Sequence, residues 1–110
     1  MDSERVVYIY GLSDPISKQL RYIGKSVNPI VRLRKHLSER NLHDSYKDRW
    51  IRHLVKLDLK PELTIIDEVE GDNWVYWEKF YIAYFKFLGC NLTNGTDGGD
   101  APPTTLVGVM

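Results

Sequence analysis

Residues 6–24 have the sequence VVYIYGLSDPISKQLRYIG, which predicts a β-hairpin. The run from Val6 to Tyr10 is β-branched and aromatic, and a second strand-like run extends from Leu20 to Ile23. The polar segment between the two runs is typical of a turn. Because alternate residues of a strand face the same side, Tyr8 and Tyr10 share one face of the predicted sheet.

The remaining sequence predicts three helices and one further strand. Asn28 provides an N-cap and Pro29 a first helical residue, and apolar residues at helical spacing continue this helix to Ser38. The later predicted elements are a helix over about 46–57, a strand over 63–69, and a helix over 74–88 that begins at an Asn73 cap and ends at Gly89. The order β-β-α-α-β-α predicts an α/β (α+β) domain, with a small three-stranded mixed or antiparallel sheet flanked by helices.

The length of 110 residues predicts one domain over residues 1–100, followed by a flexible tail or linker over residues 101–110. Cys90 is the single cysteine, which excludes an internal disulfide and a cysteine-built zinc site. No apolar run approaches the roughly 18–20 residues that span a bilayer, and the acidic N-terminus lacks the features of a secretory signal. We therefore expect an intracellular protein with no membrane partner.

The net charge is zero, but the charges are distributed unevenly along the chain. Residues 18–56 contain eleven Lys and Arg and only three Asp and Glu, whereas residues 57–110 contain three basic and nine acidic residues. A basic first half is typical of a localised surface that binds anions such as nucleic acid. A solvated helix face, balanced by acidic residues elsewhere in the fold, is the alternative explanation.

Glu78 is the most informative single position. It lies within an apolar arc of the last predicted helix, formed by Trp74, Trp77, Tyr81, Tyr84, Phe85 and Leu88. A carboxylate in such a position costs several kcal/mol in desolvation unless a cation or hydrogen-bond donors compensate. Three explanations are open: a pair with a buried arginine such as Arg32, a side chain that bends out to water, or a ligand to a divalent metal.

Arg32 and His36 are four residues apart, so they share one face of the first predicted helix. A guanidinium group binds phosphate oxygens in a bidentate manner and stabilises developing negative charge. Arg34 and Lys35 point elsewhere on the same helix and are better suited to phosphate contacts. An amphipathic surface helix with an incidental Arg-His pair is the alternative.

Tyr22 lies in the second predicted strand and can face Tyr8 and Tyr10 across the hairpin. Such tyrosines are either amphipathic core residues or acid-base groups. Because the ordinary pKa of tyrosine is about 10, a tyrosine that acts as a base near neutral pH needs a cation nearby. Lys25, Arg32 or a metal are the candidate cations.

Taken together, these residues resemble the GIY-YIG nuclease family in its phage-type and homing-type members. Tyr8-Ile9-Tyr10 is similar to the GIY element, with tyrosine in place of the leading glycine, and Tyr22-Ile23-Gly24 matches the YIG element and continues as Lys25-Ser26. Arg32 and His36 follow at similar spacing, Glu78 resembles the metal-binding glutamate, and His43 is a doubtful match to a further histidine. Asn91 resembles the asparagine that closes the domain, and the segment from Leu92 to Gly99 resembles the sequence after it.

The resemblance implies a DNA endonuclease that depends on a divalent metal. It implies catalytic roles for Tyr8, Tyr10, Tyr22, Arg32, His36, Glu78 and Asn91, with Tyr10 or Tyr22 as the base. Glu78 would hold one Mg²⁺ or Mn²⁺. Lys25, Ser26, Arg34 and Lys35 would contact the nucleic acid. A phage-encoded protein acting in a bacterial host also follows from the resemblance.

Two other functions are compatible with the sequence. One is a nucleic-acid-binding module with this scaffold and little or no catalysis, and the other is a partner-binding domain with Trp74 and Trp77 as interface anchors. Because little of the chain remains to recognise base edges, we expect the endonuclease to have low sequence specificity. We expect the chain to be a monomer or a weak dimer.

Overall fold

The computed structural model of the protein describes residues 5–95. Its elements, in chain order, are β1 (Val6–Ser13), β2 (Leu20–Ser26), α1 (Pro29–Ser38), α2 (Tyr46–Lys56), β3 (Glu62–Glu70), a 3₁₀ turn (Gly71–Asn73) and α3 (Trp74–Phe87). This order confirms the predicted fold class. The predicted domain end at residue 100 and the tail over residues 101–110 lie outside the described residues.

The sheet is antiparallel, and β1 lies between β2 and β3. All three strands are longer than the prediction: β1 continues past Tyr10 to Ser13, β2 continues past Ile23 to Ser26, and β3 is one residue longer at each end. The extension has a simple cause, because the central strand pairs with a neighbour on each side along this whole stretch. Side-chain composition does not reveal such long-range backbone pairing.

The helices lie on both faces of the sheet. On the face covered by α1 and α2, the buried core consists of Tyr10, Leu12, Trp50, Ile51 and Leu54. On the face covered by α3, it consists of Ile9, Ile23 and Ile82. Because successive strand residues point to opposite faces, Ile9 and Tyr10 enter different clusters. We refer to these as the α1/α2 face and the α3 face.

The helix ends follow the predicted signals with one exception. The side chain of Asn28 accepts a hydrogen bond from the amide of Val31, with Pro29 at the first helical position, as predicted. Gly89 has a φ of +96°, which suits a glycine after a helix. The predicted Asn73 cap is wrong: Asn73 belongs to the 3₁₀ turn, has helical backbone angles and makes no side-chain cap bond.

The amphipathic pattern predicted for α3 is correct at its centre and wrong at its border. Glu78 is buried at 9% exposure, as the pattern indicates, and Ile82 is buried beside it. Tyr84 and Leu88, which the prediction included in the apolar arc, are 45% and 56% exposed. Over the described part of the chain, the helices are all too short or too polar to cross a membrane.

Candidate active site

A buried hydrogen-bonded chain links β1, α1 and α2. The hydroxyl of Tyr10 lies 2.7 Å from Nε2 of His36, and Nζ of Lys47 lies 3.0 Å from the other ring nitrogen, Nδ1. Tyr10 is fully buried and His36 is 3% exposed. Polar groups at this depth are costly unless they are bonded to one another, and here each is.

The protonation state of His36 follows from its surroundings. Burial lowers the pKa of His36 to about 3, and the positive charges of Lys47 and Arg32 act in the same direction. His36 is therefore neutral near pH 7. A charged lysine can only donate, so Nδ1 accepts from Lys47 and Nε2 carries the proton that is donated to the oxygen of Tyr10. Burial also lowers the pKa of Lys47, while its ion pair with Asp48, at 3.6 Å, opposes that shift.

Tyr22 differs from Tyr10 in its exposure. Its ring packs edge-on against His36, with the ring centroids 5.4 Å apart, and the Lys47 ammonium lies 5.6 Å from its centroid. Tyr22 is half-buried, and its hydroxyl is not part of the hydrogen-bonded chain described above. Burial of the hydroxyl raises the pKa of Tyr22 to about 12, and the charge of Glu78 adds to the increase.

Gly24 makes room for the two tyrosines. It lies opposite Tyr10 in the β1–β2 pairing, and a Cβ atom at this position would lie 2.5 Å from the Tyr10 hydroxyl and 2.9 Å from the Tyr22 ring. Any side chain larger than hydrogen would displace one ring or the other. A glycine at position 24 is therefore required by packing in this chain.

The charges of Arg32 and Glu78 act on both tyrosines. Arg32 belongs to α1 and Glu78 to α3, which cover opposite faces of the sheet. Burial raises the pKa of Tyr10 well above its ordinary range; the positive charge of Arg32 opposes this increase and the negative charge of Glu78 adds to it. The same two charges act on Tyr22. Both α1 and α3 contact β2, which is an edge strand of the sheet. The edge strand thus brings these two residues into electrostatic range of the tyrosines.

Two predicted catalytic residues lie apart from this group. Tyr8 is half-buried and pairs with Ser26 and Glu68 across the sheet, and it takes part in none of the ring contacts or hydrogen bonds above. Asn91 is exposed, and its backbone carbonyl accepts a hydrogen bond from Nε of Arg21 at 2.7 Å.

Asn94 makes the contacts that close the fold against β2. Its side chain accepts from the amide of Ile23 at 2.9 Å and donates to the carbonyl of Ile23 at 2.8 Å. Thr93 binds the carbonyl of Arg21 through its amide and its hydroxyl. These bonds cover the backbone edge of β2 beside Tyr22. The sequence did not point to Asn94, although its position before Gly95 is a turn signal that could have drawn attention to it.

The predicted nucleic-acid contacts fall into two groups. Arg34 and Lys35 are exposed on α1, and neither forms a salt bridge with another residue between 5 and 95, so both are available for phosphate. Lys25 lies 4.7 Å from the ring centroid of Trp74, in a groove of about 360 Å³ that Arg5 and Ser26 also line.

Ser26 has a structural role in addition. Its hydroxyl accepts a hydrogen bond from the amide of Asn28 at 2.9 Å, which fixes the approach to α1.

Sequence reasoning missed Lys47 and Asp48. Asp48 is buried, accepts a hydrogen bond from the hydroxyl of Ser45 at 2.8 Å and holds the start of α2 in a capping box. The Ser45-x-x-Asp48 spacing is a recognisable capping signal. Nothing in the sequence indicates that Lys47 meets His36, because the contact joins two different helices. The doubtful match at His43 falls on an exposed residue outside the group.

Glu78 is the candidate metal ligand, because it is a carboxylate whose charge acts on both Tyr10 and Tyr22. No group of three or more His, Cys, Asp or Glu between residues 5 and 95 could hold a metal alone. A hard cation such as Mg²⁺ commonly takes one or two carboxylates and completes its shell with water and phosphate oxygens. Glu78 therefore fits a cation that is shared with a bound phosphate.

No protein-family model matches this chain, and neither a curated protein nor a solved structure matches it. The resemblance to the GIY-YIG family therefore stays a prediction from the motifs.

Proposed function

We propose that this chain is a divalent-metal-dependent DNA endonuclease that hydrolyses phosphodiester bonds with low intrinsic sequence specificity. One observation carries the proposal: the half-buried Tyr22, on an edge strand of the sheet, lies within electrostatic range of both Arg32 and Glu78. A tyrosine that only fills a small core has no need of a cation and a carboxylate near its hydroxyl. Hydrolysis of a phosphodiester needs a proton acceptor, a group that stabilises charge and a metal ligand, for which Tyr22, Arg32 and Glu78 are the candidates.

Tyr22 is the proposed base. A water attacks phosphorus, its proton passes to the phenolate oxygen of Tyr22, and the bond to the leaving sugar oxygen breaks as that oxygen takes a proton from solvent. This assignment selects one tyrosine from the three that the motifs suggest. Tyr10 is fully buried and already bonded to His36, so it is poorly placed to meet a water.

Arg32 and Glu78 supply the opposite charges that the reaction needs. The guanidinium of Arg32 stabilises the phosphate oxygens as negative charge builds up, and it also lowers the pKa of Tyr22. Glu78 would hold the divalent cation, which when bound polarises the phosphate and favours the phenolate form of Tyr22.

The hydrogen-bonded chain of Tyr10, His36 and Lys47 holds the ring of Tyr22 in position. Because Lys47 fixes the tautomer of His36, the ring has one orientation, and its edge contact sets the position of the Tyr22 ring. Catalytic groups need support of this kind, since misplacement by about 1 Å can cost roughly 10²-fold in rate. Asp48 in turn anchors Lys47 through its ion pair.

The contacts to DNA are expected to be with phosphates. Arg34 and Lys35 are exposed on α1, and Lys25 lines the groove beside Trp74. The helices of the described domain are committed to the core and the candidate site, and base recognition normally requires a helix or ribbon in the major groove. Affinity should therefore fall steeply with salt and depend little on sequence.

Incubation of purified protein with supercoiled plasmid tests the proposal. We expect nicked or linear products in Mg²⁺ or Mn²⁺, none in chelator, and cleavage at many positions rather than one. Binding without cleavage under any divalent cation would favour the second candidate, a nucleic-acid-binding module, for which the unpaired Arg34 and Lys35 are sufficient. Absence of both binding and cleavage would contradict both functions.

A further inference from the structure

The outer face of α3 carries a row of exposed aromatic side chains. Tyr76, Phe80, Tyr84 and Phe87 recur at helical spacing and are 63%, 41%, 45% and 86% exposed. The exposed Leu88 lies at the end of the row. We call these four aromatic residues the aromatic ridge. They lie on the side of α3 away from the sheet, so they do not belong to the core that Ile82 enters.

The ridge is ordered by contacts among its own rings. Tyr76 and Phe80 are nearly parallel, at 14° and 6.4 Å between centroids, and Phe80 and Tyr84 are at 9° and 5.8 Å. Contiguous exposed apolar patches of this kind commonly mark interaction sites. Trp74 and Trp77, which the sequence suggested as interface anchors, instead pack against the core of the α3 face.

Charge disfavours nucleic acid as the occupant of the ridge. Residues 57–95 carry three lysines and seven Asp or Glu, so this half of the described domain is acidic. The basic residues Arg34 and Lys35 lie on α1, which packs on the opposite face of the sheet. The charged residues of α3 itself are the buried Glu78 and the exposed Lys79 and Lys86, so the helix attracts a phosphate backbone only weakly. A protein surface is a more suitable partner than nucleic acid for exposed rings that have few charged residues among them.

The area of the ridge suits a second copy of the same chain. Four rings at these exposures offer on the order of 500 Å² of apolar surface per copy, or about 1,000 Å² in a pair, which is near the lower limit of specific interfaces. The chain as a whole has no net charge, so two copies do not repel each other at long range. Ala83, which is exposed beside the ridge, permits close approach of two helices.

We infer that the aromatic ridge is a homodimer interface, in which α3 of one copy packs on α3 of another about a two-fold axis. Such an interface uses the same patch on both copies, so Phe80, in the middle of the ridge, lies near its centre. The small area predicts a dissociation constant on the order of 1–100 µM. The inference does not depend on nuclease activity, because association is measured without substrate.

Sedimentation equilibrium of the full chain, from about 1 to 200 µM, tests this interface. We expect a monomer–dimer equilibrium, and Phe80→Lys should raise the dissociation constant roughly 30-fold or more, as for a central aromatic anchor. Phe87→Lys should also weaken the dimer, and at 86% exposure its replacement leaves the packing of the monomer intact. The matched control is Leu42→Lys, which changes a 67% exposed apolar residue outside the ridge and should leave the equilibrium unchanged.

Two results would overturn the inference. One is a wild-type chain that stays monomeric throughout the concentration range, which would mean that something other than a second copy covers the ridge. The other is a dimer that both ridge variants leave intact, or that Leu42→Lys weakens equally. Circular dichroism and thermal unfolding of each variant would show that it is folded.

Discussion

Both faces of the sheet are covered by helices, but the side chains buried on the two faces differ in chemistry. On the α3 face, Ile9, Ile23 and Ile82 form a core of aliphatic side chains. On the α1/α2 face, the equally buried Tyr10 is bonded to His36, which is bonded in turn to Lys47. Buried polar groups are costly unless every partner is present.

The difference shows where specialised chemistry is concentrated. A hydrogen-bonded core fixes directions as well as distances, because each donor must aim at its acceptor. The α1/α2 face therefore fixes the orientation of His36, against which the half-buried Tyr22 packs, whereas the α3 face supplies mainly apolar burial. Glu78 is the exception, since it is a buried carboxylate on the helix of the apolar face.

The first test of the comparison between the two faces removes the charge of Glu78. Glu78→Gln keeps the shape of the side chain and removes the charge that a divalent metal needs, so plasmid cleavage should fall by roughly 10³-fold or more. DNA affinity and the unfolding temperature should stay close to wild type. Glu68→Gln, at an exposed position on β3, is the matched control and should cleave normally. A folded Glu78→Gln protein that cuts at the wild-type rate would make Glu78 a structural residue.

The second test separates tyrosines on the α1/α2 face. Tyr22→Phe removes the proposed base and should lower the single-turnover cleavage rate by roughly 10²-fold or more. Tyr8 lies in β1 on the same face of the sheet as Tyr22, but outside the hydrogen-bonded chain. Tyr8→Phe should therefore have little effect on the cleavage rate. Equal losses in the two variants would show that the hydroxyl of Tyr22 has no special role.

The smallest expected effect is a pH dependence of stability that only the polar face should show. The pKa of His36 falls to about 3 on folding, so between this value and about 6.5 the unfolded chain binds a proton that the folded chain does not. Stability is complete above this window and is lost as the pH falls through it, by about 2–3 kcal/mol between pH 7 and 4.5.

Urea unfolding at several pH values measures this loss. His36→Gln should be less stable at pH 7 and should show a flatter dependence between pH 7 and 4.5. His53→Gln, which changes an exposed histidine of α2, should follow the wild-type curve. Parallel curves for wild type and His36→Gln would mean that His36 is protonated in the folded protein.

Local signals in the sequence determined most of the fold. The β-branched runs placed β1 and β2, Asn28 and Pro29 placed the start of α1, and Gly89 marked the end of α3, because each of these signals acts within a few residues of itself. The same reasoning failed at Asn73, where a preceding 3₁₀ turn had already taken that residue into helical geometry. The burial of Glu78 was also predictable, since helical periodicity placed it on the inner side of α3.

The contacts of the candidate site were decided by tertiary structure. Lys47 meets His36 only because α1 and α2 pack together on one face of the sheet, and Asn94 binds Ile23 only because the chain after α3 returns along β2. Neither pair is related by a local period. The sequence by itself supplied tyrosines, a histidine, an arginine and a glutamate of suitable chemistry. Folding alone determined that Tyr10 is fully buried and Tyr22 half-buried, because exposure depends on what the rest of the chain packs against each ring.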